Sequence, residues 1–298
     1  MTATVSSYPL VVSIERPALY VVATPIGNLA DISYRAVAVL REMDLILAED
    51  TRVTQRLLQQ YAIHSKLIAL HEHNEQQATG RILSKVTSGK MAIALLSDAG
   101  TPLIADPGYR LVRSAHEQAI PVLTVPGACA AIAALSIAGV PSDRFVFEGF
   151  LPPRSAARKR HLSTFSREAR TVIFYEAPHR ILATMEDLCA TLGDEREVVV
   201  ARELTKLHET LYRGCLGRVT QDMKNDPNAA RGELVIVLGG APEPDMSEDE
   251  DQALSMVKTL SRHVAMADAV KLTAELTGIK RNRLYRLAHS PNDDQADG

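Results

Sequence analysis

Ser97-Asp98-Ala99-Gly100-Thr101-Pro102-Leu103-Ile104-Ala105-Asp106-Pro107-Gly108 follows directly on the apolar run Met91–Leu96, and a helical pattern over Tyr109–Gln118 comes next. A buried strand, a Gly/Pro loop and a helix make the unit from which open α/β sheets are built. The unit has an earlier counterpart. Apolar Leu19–Thr24 leads into the loop Thr24-Pro25-Ile26-Gly27-Asn28-Leu29 and a helix over Ile32–Met43. Between them, strands are expected at Leu45–Ala48, which ends in Glu49-Asp50-Thr51-Arg52, and at Leu67–Leu70, with helices at Thr54–Tyr61 and Glu75–Thr87. Pro121–Val125 is a fifth strand, and Pro126-Gly127-Ala128-Cys129 opens an Ala-rich helix to Ala138. This alternation predicts a largely parallel sheet covered on both faces. Ligands of such sheets lie outside the carboxyl ends of the strands, where both Gly/Pro loops fall. A shared small-molecule pocket is therefore expected there.

The texture changes near Gly139–Asp143. Strands are expected at Phe145–Glu148, Thr171–Tyr175, Glu197–Ala201, Glu209–Tyr212 and Glu233–Leu238, with a basic helical stretch over Arg154–Arg167 and another helix up to Leu192. Their closer spacing predicts a mixed sheet with antiparallel pairs. Residues 241–252 hold six acids, two prolines and no base, and read as a solvated linker. Beyond it, three short helices are expected, the last two, Met266–Leu276 and Lys280–His289, joined at Thr277-Gly278 as in a helix-turn-helix. The expected layout is a flexible tail (1–16), an N-terminal α/β domain with a parallel sheet (17–143), a C-terminal α/β domain with a mixed sheet (144–240), the acidic linker (241–252) and a helical extension (253–298).

Composition narrows the function less than the loops do. The chain has 298 residues, 46% of them hydrophobic, and a net charge of −3, so any nucleic-acid contact must be local. Cys129, Cys189 and Cys215 are scattered and odd in number, which fits a reducing cytoplasm rather than a disulfide framework. No apolar run reaches the ~20 residues of a membrane span. His71-Glu72-His73 lacks metalloprotease spacing and has no cysteine or third histidine near it, so no metal is expected.

Neither a G-x-G-x-x-G fingerprint nor a phosphate-binding P-loop is present, which removes the main support for NAD or nucleoside triphosphate. Thr24–Leu29 alone would pass for an ordinary turn. Ser97–Gly108 is harder to reduce to one, because a proline-stiffened loop with embedded carboxylates suits a ligand bearing hydroxyl and ammonium groups. Asp50 or Thr51 could simply cap a helix, with Arg52 paired to a carboxylate. Arg154, Arg158, Lys159, Arg160, Arg167 and Arg170 face only Glu168 in their stretch, and Lys280, Arg281, Arg283 and Arg286 share the last helix. Each set could be a solvated face, and the last a dimer contact. Two separate basic sets in a slightly acidic chain favour phosphate contact.

The motifs Thr24–Ile32, Ala48–Arg52, His71–Gln77, Ser97–Gly108, Pro126–Ala131, Ser142–Pro152, Phe174–Arg180 and Ala201–Lys206 together resemble the ribosomal RNA 2′-O-methyltransferases of the tetrapyrrole methylase superfamily. The resemblance runs from about Ala18 to Gly240 and more weakly through the last helices. It implies two α/β domains of the tetrapyrrole methylase type with S-adenosylmethionine between them, and a superfamily that does without the glycine fingerprint. The family's cofactor positions correspond to Pro25, Ile26, Gly27, Asp98, Ala99, Gly100, Thr101, Pro102, Gly127 and Ala128. From the second half come Phe174, Tyr175, Ala201, Gly232 and Glu233. Pro178 departs from the family pattern, while the aromatic pair before it and Arg180 after it remain. The implied partner is 16S ribosomal RNA in the small ribosomal subunit, methylated at a decoding-centre cytidine, and the implied assembly is a homodimer.

The implied reaction is in-line attack of a ribose 2′-hydroxyl on a sulfonium methyl group, in which alignment supplies much of the acceleration. Lys206, Glu203 and Asp106 are the candidates for a base, with Lys206 or Glu203 ahead. Arg52, Arg154, Arg158, Lys159, Arg160, Arg180, Arg202, Lys280, Arg281, Arg283 and Arg286 are the expected RNA contacts. Two rivals stand beside this reading. Carbon methylation of a tetrapyrrole on the same fold would need no basic tail, and a silent ribosome-assembly factor would need no cofactor loops.

Overall fold

Strands and helices alternate through the first half of the protein, a computed structural model that describes residues 12–242 and 246–289. The order is β1 (Ala18–Val22), α1 (Tyr34–Arg41), β2 (Leu45–Ala48), α2 (Thr51–Gln60), β3 (Leu67–Ala69), α3 (Glu72–Gly89), β4 (Ala92–Leu96), α4 (Tyr109–Glu117), β5 (Val122–Val125) and α5 (Ala130–Ala138). The five strands form one parallel sheet in the order β3-β2-β4-β1-β5. Its central strands β1, β2 and β4 are buried and almost wholly apolar because both faces are covered, whereas the edge strands β3 and β5 keep exposed positions at Ile68 and Thr124. Tyr20, Val22, Ile46, Ala94 and Leu96 pack against α1 and α2, while Leu19, Leu47, Ile93 and Leu95 pack against α3 and α4. Val12 and Ile14 also pack on the first of these cores, so the expected loose tail is anchored from residue 12 onward, and Met1–Val11 lies outside the described residues.

The second half contributes β6 (Phe145–Phe150), α6 (Ser155–Leu162), β7 (Thr171–Glu176), α7 (Ile181–Leu192), β8 (Glu197–Arg202), β9 (Thr210–Cys215), α8 (Leu216–Asn225) and β10 (Leu234–Leu238). These strands form a mixed sheet, β6-β7-β10-β8-β9, in which only β6 and β7 are parallel. Val172, Phe174, Val200 and Ile236 face α6, α7 and α8. Ile173, Val199, Ala201 and Val237 face α5, whose Ala131, Ala134 and Ala138 let the helix lie close against the strands. A helix that follows the last strand of the first sheet thus roofs the second. Helix α8 escaped the sequence reading, although Leu216, Val219, Thr220 and Met223 bury one face at helical spacing.

The chain divides into two compact units, Met1–Gly240 and Ala241–Gly298. The second contains α9 (Met246–Leu260), α10 (Met266–Thr277) and α11 (Arg281–His289) around Ala253, Val257, Ala269, Val270 and Leu284. Residues 246–252, expected as linker, instead open α9. Acids without basic neighbours read as solvated chain, yet the first turn of a helix is where its dipole favours them. Ser290–Gly298, expected to fray, lies outside the described residues. Among the described residues no helix is long and apolar enough to cross a membrane.

Candidate active site

Parallel pairing of β1 with β4 sets their carboxyl-end loops side by side. Thr24 and Gly100 exchange backbone hydrogen bonds at 2.8 and 3.2 Å, which locks the two loops together. Thr101 Oγ1 donates to the Ala128 carbonyl at 3.0 Å and brings in the loop after β5. Asp98 Oδ1 accepts the Asp50 N–H at 2.8 Å and ties in the end of β2. From the second sheet comes the turn after β8. Gly27 presses on it so closely that a Cβ there would fall 2.6 Å from Lys206 Cγ and 2.9 Å from the Leu204 carbonyl oxygen. The Asn28 N–H donates to Thr205 Oγ1 at 3.1 Å across the same junction. Among the described residues seven non-glycines have positive φ, and four of them, Leu103, Ala105, Glu203 and Thr205, lie in the β4 loop and the β8 turn. Such conformations cost energy and persist where the surroundings enforce them, as they do at ligand sites.

These loops wall a cavity of about 370 Å³, within the range of small-molecule and cofactor sites. Ile26, Ala201, Leu204 and Val235 supply apolar wall, and Thr101, Asp106, Tyr175 and Glu233 the polar groups. Apolar surface for an adenine, hydroxyl-binding groups and carboxylates for a cationic amino-acid end fit S-adenosylmethionine. Of the expected cofactor positions, Ile26, Ala99, Gly100, Thr101, Tyr175, Ala201, Gly232 and Glu233 line the cavity. Gly27, Asp98 and Ala128 instead hold the loops in register, as described, and Pro25, Pro102 and Gly127 sit in those loops without lining the cavity. Phe174 is a correction. Neighbours on a strand point to opposite faces. With Tyr175 on the cavity side, Phe174 is fully buried on the other face, edge-on to Phe165. Phe150, Pro178, Cys129 and Ile104 line the cavity and were not among the expected site residues. Ile104 could have been, since it shares the loop with Asp106.

The three candidate bases differ in environment. Asp106 lines the cavity, and its carboxyl is pushed up to about 6 by burial and then by the charge of Glu49; a hydrogen bond from Ser97 opposes this only in part, and Asp98 adds to it. Lys206 Nζ lies 2.8 Å from Glu203 Oε1 and 3.3 Å from Glu233 Oε2. Burial works to discharge this ammonium, but the two carboxylates outweigh it and hold its pKa above the ordinary value. Burial likewise pushes Glu203 up, and is outweighed by Lys206, the Glu233 N–H and Arg202, which leave it below the carboxylate range. Glu203 Oε1 accepts that N–H at 3.0 Å, so the carboxylate pins the 232–233 loop. The Lys206 and Glu203 side chains form a clip.

Three expected RNA contacts are corrected, two by burial and one by an ion pair. Arg158 is 3% exposed and bonded through Nε to Asp187 Oδ2 at 2.8 Å. Arg180 is paired with the buried Glu176, with Nε to Oε1 at 2.8 Å. Arg202, 7% exposed, donates to the His208 carbonyl and Thr210 Oγ1, both at 3.2 Å, and its Nε–H has no partner. Arg158 on α6 and Arg202 at the end of β8 turn inward, while Arg180 is held by the carboxylate at the end of β7. Arg52 is exposed but grips Asp50 through Nε and Nη2, and those hydrogen bonds hold the Asp50 carboxyl at about 2. Lys159 lies 3.3 Å from Asp187, whereas Arg154 and Arg160 are exposed and make no side-chain bond. In the second unit, Arg283 is taken up by Glu250 at 2.8 and 3.0 Å, while Lys280 is exposed and Arg281 lies 6.0 Å over the Tyr285 ring. Arg286 is exposed on the same helix. Among the described residues no group of three or more His, Cys, Asp or Glu is arranged to hold a metal ion.

Comparison with known proteins adds an independent line. The family model of tetrapyrrole (corrin/porphyrin) methylases matches residues 18–220, and that of the RsmI C-terminal HTH domain matches residues 247–291. Ribosomal RNA small subunit methyltransferase I of Escherichia coli O157:H7 is 50% identical over 272 residues, which cover 91% of this chain and 94% of that protein. Among solved structures, the cobalamin biosynthetic enzyme cobalt precorrin-4 methyltransferase aligns with a TM-score of 0.58 at 17% identity, over 76% of this chain and 97% of its own. Uroporphyrin-III C-methyltransferase from Thermus thermophilus, complexed with S-adenosylhomocysteine, aligns with a TM-score of 0.52 at 17% identity, over 75% of this chain and 98% of its own. At that identity the two structures speak for the fold alone.

Proposed function

The chain belongs to the tetrapyrrole methylases, among the ribosomal RNA small subunit methyltransferases I, and from that membership we propose that it methylates the ribose 2′-hydroxyl of a decoding-centre cytidine in 16S ribosomal RNA. It is an S-adenosylmethionine-dependent enzyme. The observation that carries the reaction is Asp106, a carboxylate on the wall of a largely apolar cavity with its pKa raised to about 6.

Bound S-adenosylmethionine supplies a methyl group already activated on a sulfonium centre. The chain's own residues must then align the attacking hydroxyl, keep water out and take up its proton. Ile26, Ala201, Leu204 and Val235 provide the dry wall. Asp106 is ionised at pH 7 and, with its raised pKa, accepts a proton more readily than an ordinary carboxylate. Lys206, held charged between Glu203 and Glu233, has no lone pair to offer and serves to keep the β8 turn closed on the cavity. Arg154, Arg160, Lys280, Arg281 and Arg286 are the cations this reading assigns to RNA phosphates. The small ribosomal subunit in the cytoplasm is the substrate, and the enzyme works as a homodimer. Ile132 and Ile137, apolar and exposed on α5, support a partner surface.

Calorimetric titration with S-adenosylmethionine, followed by transfer of labelled methyl to small subunits from a strain lacking the enzyme, tests the proposal. The expected result is one ribose methyl group at the decoding centre, located by mass mapping. Cofactor binding with transfer only to a tetrapyrrole would overturn the RNA substrate. Absence of cofactor binding would favour an assembly factor.

A further inference from the structure

Strand β6 lies at the edge of the second sheet and carries one irregularity. Its register with β7 runs from Phe145 opposite Thr171 to Phe147 opposite Ile173, then resumes with Gly149 opposite Phe174 and Phe150 opposite Tyr175. One residue too many has been inserted. Gly149 takes it up at φ +68°, and since nothing lies within 4 Å of where a Cβ would stand, the glycine answers to conformation rather than to crowding. In an unbroken strand, residues 147 and 150 face opposite sides of the sheet. Here both rings stand edge-on to Tyr175, with centroids 4.9 and 5.7 Å away. Leu151 then returns to the core on the other face.

The bulge therefore carries Phe150 out of a core that would have buried it. The residue is left 57% exposed on the wall of the cavity. Bulges beside active sites re-aim side chains in this way. Four residues on, past Leu151-Pro152-Pro153, Arg154 is exposed with no side-chain partner, unlike Arg158 and Lys159 in the next turn. A nucleotide whose sugar enters a cavity must leave its own stack, and unstacked bases are received on aromatic side chains. We propose that Phe150 is the platform on which the base of the methylated nucleotide stacks, with Arg154 taking a flanking phosphate. This rests on the RNA reading above and adds to it the surface that receives the base.

Kinetics on small subunits from a strain lacking the enzyme separate the possibilities. Phe150→Ala and Phe150→Leu should each lower kcat/KM for the subunit about 5- to 150-fold, the range of one lost base–aromatic stack. Phe150→Tyr and Phe150→Trp should restore most of it, and because Phe150 also lines the cofactor cavity, the test is that any loss of S-adenosylmethionine affinity stays much smaller than the loss in kcat/KM. Arg154→Ala should weaken subunit binding and flatten its salt dependence by about one unit. The chain contains no tryptophan, so Phe150→Trp carries a lone indole. Its emission should be quenched by a synthetic decoding-centre RNA and not by the same RNA with an abasic target position. Wild-type rates in the leucine variant, equal quenching by the two RNAs, no quenching at all, or a fall in cofactor affinity that matches the fall in rate each overturn the platform. If the wild-type enzyme methylates subunits and these outcomes appear, the platform alone falls; if it methylates no RNA, the substrate assignment falls with it.

Discussion

At the scale of single residues, the site turns on which of three titratable groups can accept a proton. Asp106 should give kcat/KM an acid limb near pH 6, and Asp106→Asn should abolish that limb while lowering kcat by about 10²–10⁴-fold. Its pKa is raised in the folded state, so the fold carries a cost that appears as pH rises from the ordinary carboxylate value toward about 6 and persists above it. The asparagine variant should therefore melt higher than wild type at pH 7–8 and equal it near pH 4, which calorimetry at the two pH values will read. Lys206→Ala should behave in the opposite sense. It leaves Glu203 and Glu233 facing each other without their cation, so thermal stability and cofactor affinity should fall several-fold more than kcat does. Sequence could name all three residues because each follows a strand in a polar turn. Its ranking, Lys206 or Glu203 ahead of Asp106, is the reverse of the one proposed above, because the order depends on the burial of Asp106 with Glu49 beside it and on Glu233 beside Lys206, neighbours distant along the chain.

At the scale of elements, α6 shows how far charge counting goes. The basic stretch is a helix over half of its expected length, but its strongest cation faces inward to hold α7. Arg158, Ser155 and Lys159 all meet Asp187. Asp187→Ala strands a buried guanidinium and should cost about 3–5 kcal/mol in urea unfolding. Lys159→Ala removes a half-exposed partner and should cost less than about 1 kcal/mol. The central strands of the first sheet were legible because a strand covered on both faces is almost wholly apolar. Helix α8 was overlooked despite a readable pattern, since the polar residues between its apolar positions resembled loop. The bulge in β6 was not readable at all, because a glycine in a strand marks a kink without saying which ring it turns.

At the scale of the whole molecule, the chain folds as two compact units. Deleting residues 241–298 should leave Met1–Gly240 folded and its S-adenosylmethionine affinity unchanged, because the cavity is built from the first unit alone. The salt dependence of RNA binding should flatten by less than the roughly three units that Lys280, Arg281, Arg283 and Arg286 would give together at about 0.7 per single-strand phosphate contact, since Arg283 is committed to Glu250. An unchanged slope in a filter-binding titration would assign the tail to another role.

The cavity joins segments at positions 25–28, 97–108, 126–129 and 203–206, none of which neighbours another along the chain. Parallel strand pairing and contacts of long sequence separation are the slow steps of folding. Helices and single strands can therefore form well before any pocket exists. On the ribosome, the chain cannot assemble its cavity until the segment through Val235 has emerged. From that moment, a cofactor that binds only the finished fold stabilises it by mass action. The ability to hold S-adenosylmethionine thus doubles as a signal that the first unit is made and folded, whether or not the helices that follow it have yet formed.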